Sequence, residues 1–379
     1  MTLPFERLTA RHYRTGHPVT VTHADGRILA VDPASEPAED WVAPALFDLQ
    51  INGCMGRAFG SPDLCIDDVY LVARHAAYHG ISGLCPTLIT GSFSALEHGF
   101  ATLRRACDED AGLGRALPCF HLEGPYISPE DGPRGAHPRE HVRPPDLDEF
   151  RRWQDAAGGR IRLVTLSPEY DTSLSFIETL ARDGLVVAIG HTAATPGRIR
   201  EAVRAGARLS THLGNGSHAV LPRHENYLWE QLADDGLWAS VIADGHHLPP
   251  AILRSIVRVK TPARVVLTCD ASSLAGLPAG RYSMWGQELE VLPTGRVVVP
   301  GTPFLAGSGV FLDACVRHLL GLGEVSLGDA LDMAGTRPRA LLGLPAVDLV
   351  PGSPADLVVF RRGGGTGFEV VGIVLPQYR

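Results

Sequence analysis

From Ala43 to Asp270 the sequence keeps returning to one alternation. A short apolar or β-branched run ends in Gly or a small polar residue, and a longer segment with helical spacing follows. The strand-like runs are Ala43–Asn52, Gly83–Ile89, Leu117–Glu123, Arg160–Leu166, Leu185–His191, Ala207–His212, Ala239–Asp244 and Arg264–Asp270. Helical periodicity fills Asp67–His79, Ser94–Glu109, Leu147–Ala157, Ser173–Asp183, Thr195–Ala205 and Pro249–Val259. Short runs apolar throughout suit strands covered on both faces, and helices between them suit parallel crossovers. Eight such strands predict an α/β chain of the (β/α)8 TIM-barrel type.

The flanks have a different rhythm. His17–His23 and Arg27–Val31 alternate around an Ala24-Asp-Gly26 turn, as a hairpin does. Gly352–Phe360 and Phe368–Leu375 are extended again. We expect the two chain ends, 1–44 and 345–379, to pair into a small β-sandwich domain beside a barrel spanning 45–344. A hairpin-like insert (281–300) and helices near 308–320 and 326–342 complete the reading.

Composition narrows the function. The 379 residues are 45% hydrophobic and 20% charged, enough for a core of ordinary size. The formal charge of −8 and the scattered arginines lack the basic stripe of a nucleic-acid binder. Seven cysteines without a CxxC pair read as free thiols in a reducing compartment. Met1–Arg7 has no apolar core of signal-peptide length, and no apolar run is long enough to span a membrane. The expectation is a soluble cytoplasmic protein acting on a small molecule, with neither nucleic acid nor membrane as partner.

In barrels of this type the functional groups stand at the C-terminal ends of the strands. Four polar residues end four strands here: Glu123 the third, His191 the fifth, His212 the sixth and Asp270 the eighth. One carboxylate and two imidazoles suit a catalytic zinc or similar divalent ion that keeps a further position for water. Asp270, a carboxylate that need not be a tight ligand, is then placed to act as general base.

The chain resembles the N-acetylglucosamine-6-phosphate deacetylase family of the amidohydrolase superfamily. The resemblance is carried, in order, by Asp48–Cys54, His121-Leu-Glu-Gly-Pro-Tyr126, Gly135-Ala-His137, Gly190–Ala194, Thr211-His-Leu-Gly-Asn215, Ile242–His247, Asp270-Ala-Ser272 and Leu305-Ala-Gly-Ser308. It implies Glu123, His191 and His212 as metal ligands and Asp270 as the catalytic base, with His137 meeting the substrate near its carbonyl. It also implies substrate contacts from Asn215, Gly216, Arg223, His247, Gln50 and Leu305, and a homodimer. Gln50 and Asn52 stand where many amidohydrolases carry a His-x-His pair; both are poor zinc donors, so one divalent ion per chain is expected.

The family's Arg-Glu-Pro-Gly after the sixth strand reads Arg223-His-Glu-Asn-Tyr-Leu-Trp229 here. Arg223 keeps the phosphate-binding place, whereas its neighbours differ. The sequence therefore leaves open a deacetylase of a different N-acyl amine. A non-catalytic ligand-binding barrel is the alternative of another class.

Overall fold

The computed structural model describes residues 7–284, 287–302, 305–364 and 367–375. The N-terminal segment read for a signal peptide, Gly365 and Thr366 of the glycine-rich turn, and 376–379 at the end of the expected β domain lie outside the described residues, apart from Arg7.

Eight strands form one parallel sheet in sequence order: β1 (Leu46–Ile51), β2 (Ile81–Ile89), β3 (Phe120–Glu123), β4 (Ile161–Leu166), β5 (Val186–Ile189), β6 (Ala207–Ser210), β7 (Trp238–Ile242) and β8 (Val265–Thr268). The register couples each strand to the next, for example Thr87 to His121 and Glu123 to Thr165. Closure between β8 and β1 is made by the Ile51–Ala271 bridge and by Asp48. The buried Asp48 carboxylate accepts from the Thr268 hydroxyl, the Cys269 amide and the Gln50 amide. This is the (β/α)8 barrel expected from the alternation.

Inward residues two apart along the strands, Phe47 and Leu49 on β1 and Val186 and Ala188 on β5, join Leu163, Leu209 and Val266 in an apolar floor. Leu341 and Leu342, at the end of helix Thr336–Leu341, pack into the same floor. Above it lies a hydrogen-bonded polar layer. His121 bridges the Thr87 and Thr165 hydroxyls, and Thr165 bonds Thr211. Such a satisfied layer lets a barrel change from hydrocarbon to polar chemistry within one turn of side chains. The outward strand faces pack against helices Ile66–Tyr78, Phe93–Glu109, Leu147–Ala156, Ser173–Arg182, Pro196–Ala205 and Pro250–Lys260.

Local capping explains several helix starts. Ser92, Asp146 and Thr195 each accept backbone N–H groups at an N-terminus. Asn226 does the same for Tyr227–Ala233, a helix after β6 that periodicity did not reveal. The helix expected over 326–342 is instead two, Leu327–Met333 and Thr336–Leu341, because Gly335 leaves helical geometry between them.

The chain ends pair as expected. One six-stranded sheet runs in the order Glu369–Val374, Leu357–Arg361, Trp41–Pro44, Arg7–His12, Pro18–Ala24 and Arg27–Pro33. The insert is more than a hairpin: Gly280–Met284, Gln287–Val291, Arg296–Val298 and Leu305–Ser308 make a four-stranded antiparallel sheet. A bridge between Ala271 and Ser308 ties that sheet to the end of β8. No helix among the described residues is long and apolar enough to cross a membrane.

Candidate active site

A cavity of about 770 Å³ opens at the C-terminal ends of the strands. Glu123 is the last residue of β3, and His191, His212 and Asp270 stand just past β5, β6 and β8. These three have positive φ, at 50°, 29° and 51°, a region that residues other than Gly seldom adopt. Three such residues around one mouth mark it as the place where backbone conformation has been subordinated to side-chain aim.

The aim is convergent. Glu123 Oε1 lies 3.1 Å from His212 Nε2 and 3.3 Å from His191 Nε2, and the two imidazole nitrogens are 3.1 Å apart. All three residues are buried, and their ligating atoms lie within 4.8 Å of one another. His191 Nδ1–H donates to the Pro133 carbonyl, which leaves the lone pair on Nε2 facing the other two donors. Three electron-pair donors brought this close repel unless they share a cation, so the donor set fits a divalent metal ion. His212 Nδ1 is buried with no partner among the described residues, so its ring is held by packing and by the group at Nε2.

Gln50 and Asn52 occupy the end of β1. Carboxylates only accept, so both amides turn their NH2 groups toward them. Gln50 donates to Glu123 Oε1 at 2.9 Å and to Asp270 Oδ1 at 3.0 Å, and Asn52 donates to Asp270 Oδ1 at 2.7 Å. Gln50 is wholly buried and does not line the cavity; Asn52 does.

Electrostatics separates the two carboxylates. Burial opposes ionisation of Glu123, yet the adjacent His191 and His212 rings outweigh it and hold this carboxyl well below its ordinary range. Burial and the neighbouring Glu123 charge push Asp270 up to about 6, against the opposing pull of His212, His247 and the Asn52 hydrogen bond. Two carboxyls driven apart in this way are the usual basis of separate roles, one holding charge and one trading protons.

His137 is buried on the wall, with Nδ1 2.7 Å from the Thr90 hydroxyl. Burial and the nearby His191 lower it to about 3, so the ring is neutral. With Nδ1 accepting from Thr90, Nε2–H remains as a donor. His247 is oriented by Asp244, which accepts from its Nδ1 at 2.7 Å and from the backbone amides of His246 and His247. Those bonds overcome burial and hold Asp244 at about 2.

Asn215, Gly216, His247 and Leu305 all line the cavity with the four strand-end groups and His137. Gly216, at φ 57°, presses against the His191 ring, and a Cβ there would meet Nδ1 at 2.8 Å. Arg223, like Gln50, does not line the cavity: it is exposed on the loop before Tyr227–Ala233. Arg134, which the sequence reading passed over, does line it. Its position next to Gly135-Ala-His137 is the one sequence signal that points to it.

Strand-end donors, a separated pair of carboxyls and a barrel together define a metal-dependent hydrolase of the amidohydrolase type. No family model matches the sequence. Curated relatives do. The chain is 32% identical to an N-acetylgalactosamine-6-phosphate deacetylase from Escherichia coli O157:H7 over 90% of each chain. It is 38% identical to the N-acetylglucosamine-6-phosphate deacetylase of Bos taurus, covering 84% of this chain and 79% of that one. Its fold superposes with a TM-score of 0.86 on the Mycobacterium smegmatis N-acetyl-D-glucosamine-6-phosphate deacetylase, solved with N-acetyl-D-glucosamine-6-phosphate, at 30% identity over 98% of each chain. The chain belongs to the N-acetylglucosamine-6-phosphate deacetylase family of the amidohydrolase superfamily, and it is a hydrolytic enzyme acting on an N-acetyl group.

Proposed function

We propose that the chain hydrolyses N-acetylglucosamine 6-phosphate to glucosamine 6-phosphate and acetate. The observation that carries this reading is the convergence of the Glu123, His191 and His212 donors beside the raised carboxyl of Asp270. The three donors would hold one divalent ion, and one carboxylate with two imidazoles suits zinc. Such an ion supplies Lewis-acid chemistry, acidifying water and polarising an amide carbonyl.

The chain's own groups do the rest. Asp270 accepts the proton of the attacking water at Oδ and returns it to the departing amine nitrogen. Gln50 and Asn52 fix that carboxylate by donating to Oδ1, which leaves Oδ2 for the proton. His137 Nε2–H donates to the carbonyl oxygen as negative charge gathers there. Asn215, Gly216, His247 and Leu305 shape the sugar's seat. Arg223 is exposed near Val220 (87% exposed) and Trp229 (57%), and we assign it to the site of a neighbouring chain in a homodimer. All seven cysteines are free, which supports work in the cytoplasm.

A second reading has a specific motive. The E. coli O157:H7 relative is named for the galactosamine epimer, and the Arg223–Trp229 loop departs from the family pattern. Acetate release from metal-loaded protein, measured on both 6-phosphates and on both unphosphorylated sugars, tests the two together. A higher kcat/KM for N-acetylglucosamine 6-phosphate than for the other three supports the first reading. Preference for the galactosamine epimer, or for an unphosphorylated sugar, transfers the assignment.

A further inference from the structure

We propose that Arg134 is a specificity-determining residue that grips the substrate's phosphate from within the same chain; this rests on the reading of the substrate as a sugar phosphate. A phosphate entering the cavity needs a cation, and Arg134 is the only arginine or lysine among the described residues that line it. Each histidine there already has at least one ring nitrogen engaged. His191 and His212 face Glu123, His218 bonds Glu130 and Tyr227, and His247 bonds Asp244.

Arg134 has a donor to spare. Its Nη1 donates to the His137 carbonyl at 2.7 Å and its Nη2 to Asp131 Oδ1. Its Nε is buried and meets no acceptor among the described residues. Guanidinium N–H groups are arranged in a planar fork that matches a phosphate's oxygens, and the edge carrying Nε and Nη2 is held, among the described residues, only by Asp131. Asp131 is 79% exposed, where water weakens its claim on the guanidinium, while the Arg134 side chain is only 20% exposed.

The loop's path puts this residue near the predicted sugar contacts. A Cβ on Gly132 would meet the His218 backbone at 3.1 Å, and Gly135 and Gly216 both lie against the His191 ring. Arg134 sits between Gly132 and Gly135, so its loop faces the Asn215–His218 stretch across the cavity rim. The same guanidinium also pins the carbonyl of His137.

The test compares wild type with Arg134→Ala and Arg134→Lys on N-acetylglucosamine 6-phosphate and on N-acetylglucosamine, by acetate release, after metal content and thermal stability are matched. We expect Arg134→Ala to raise KM for the phosphorylated sugar about 10- to 100-fold and to change kcat much less. KM for the unphosphorylated sugar should stay within about threefold, and Arg134→Lys should recover part of the loss, since it restores charge without the fork. A fall in kcat of equal size on both sugars would make Arg134 a mere anchor for His137 and overturn the inference. An unchanged KM on the phosphorylated sugar would overturn it too, with the substrate assignment intact. If wild type itself releases no acetate from the phosphorylated sugar, the substrate reading falls and the inference with it. Should Arg134→Ala not fold, the lysine variant decides alone: full wild-type KM on both sugars rejects any role for the fork.

Discussion

The floor and the rim of the catalytic cavity are built differently. The floor groups, Glu123, His191, His212 and Asp270, are buried at or beside strand ends and are locked by one another and by the Gln50 and Asn52 amides. The rim is carried by loops: Arg134 on 124–146 and His218 after β6. Strands held in a closed barrel cannot shift one group without the rest, which suits atoms that must meet within tenths of an ångström. Loops tolerate changed sequence and so are where a family can alter what it recognises. The departure from the family motif, Arg223–Trp229, lies on such a loop and outside the cavity lining.

If that division holds, floor substitutions should abolish chemistry and rim substitutions should only redistribute affinity. His191→Ala and His212→Ala should each lose metal and drop activity to background together. Elemental analysis of wild type should find about one ion per chain; two tightly held ions would show that Gln50 and Asn52 do not exclude a second site. Next in size is Asp270→Asn, which keeps the shape and removes the proton acceptor. It should retain the metal and lose at least ~10²-fold in kcat, and an active, metal-replete variant would move the base elsewhere.

His137→Ala should cost about 10- to 100-fold in kcat with little change in metal content, because a donor to a developing oxyanion acts mainly in the transition state. The pH profile comes after it. Burial and Glu123 push Asp270 up to about 6. The ionised form is the active one, so kcat/KM should fall as pH drops through that value, by about tenfold for each further unit. A bound dication favours the ionised form and moves this limb to lower pH, never higher. A limb well above 6 would assign the titration to another group. The smallest effect belongs to Arg223→Ala: roughly a tenfold rise in KM for the phosphorylated sugar alone. Mixing Arg223→Ala chains with Asp270→Asn chains should restore part of that affinity if the arginine serves a neighbour's site. No recovery after proven chain exchange confines it to its own chain.

Sequence and structure agree best where one local rule decides. Buried parallel strands are mostly apolar, so polar residues at their C-terminal ends stand out, and the barrel brings those four to one mouth. Helix Tyr227–Ala233 escaped because it is short and starts from a side-chain cap on Asn226 rather than from a long periodic stretch. The break at Gly335 was missed because apolar spacing continues across it. Long-range pairings were the least legible. Nothing near Gln50 announces hydrogen bonds to residues 73 and 220 positions away, since those depend on barrel closure. Arg134 reads as one more loop charge until the loop is folded over the cavity.

The seam at Asp48 orders events in time. A chain leaves the ribosome from its N-terminus, and every proposed metal donor has been made by residue 212. The proposed proton acceptor comes 58 residues later, at the strand whose Thr268 and Cys269 groups must find Asp48 to shut the barrel. A chain that ends after residue 212 and before residue 265 has all three donors and neither the proposed base nor the strand that closes the ring. The proposed base thus arrives last, with the strand whose contacts complete the ring.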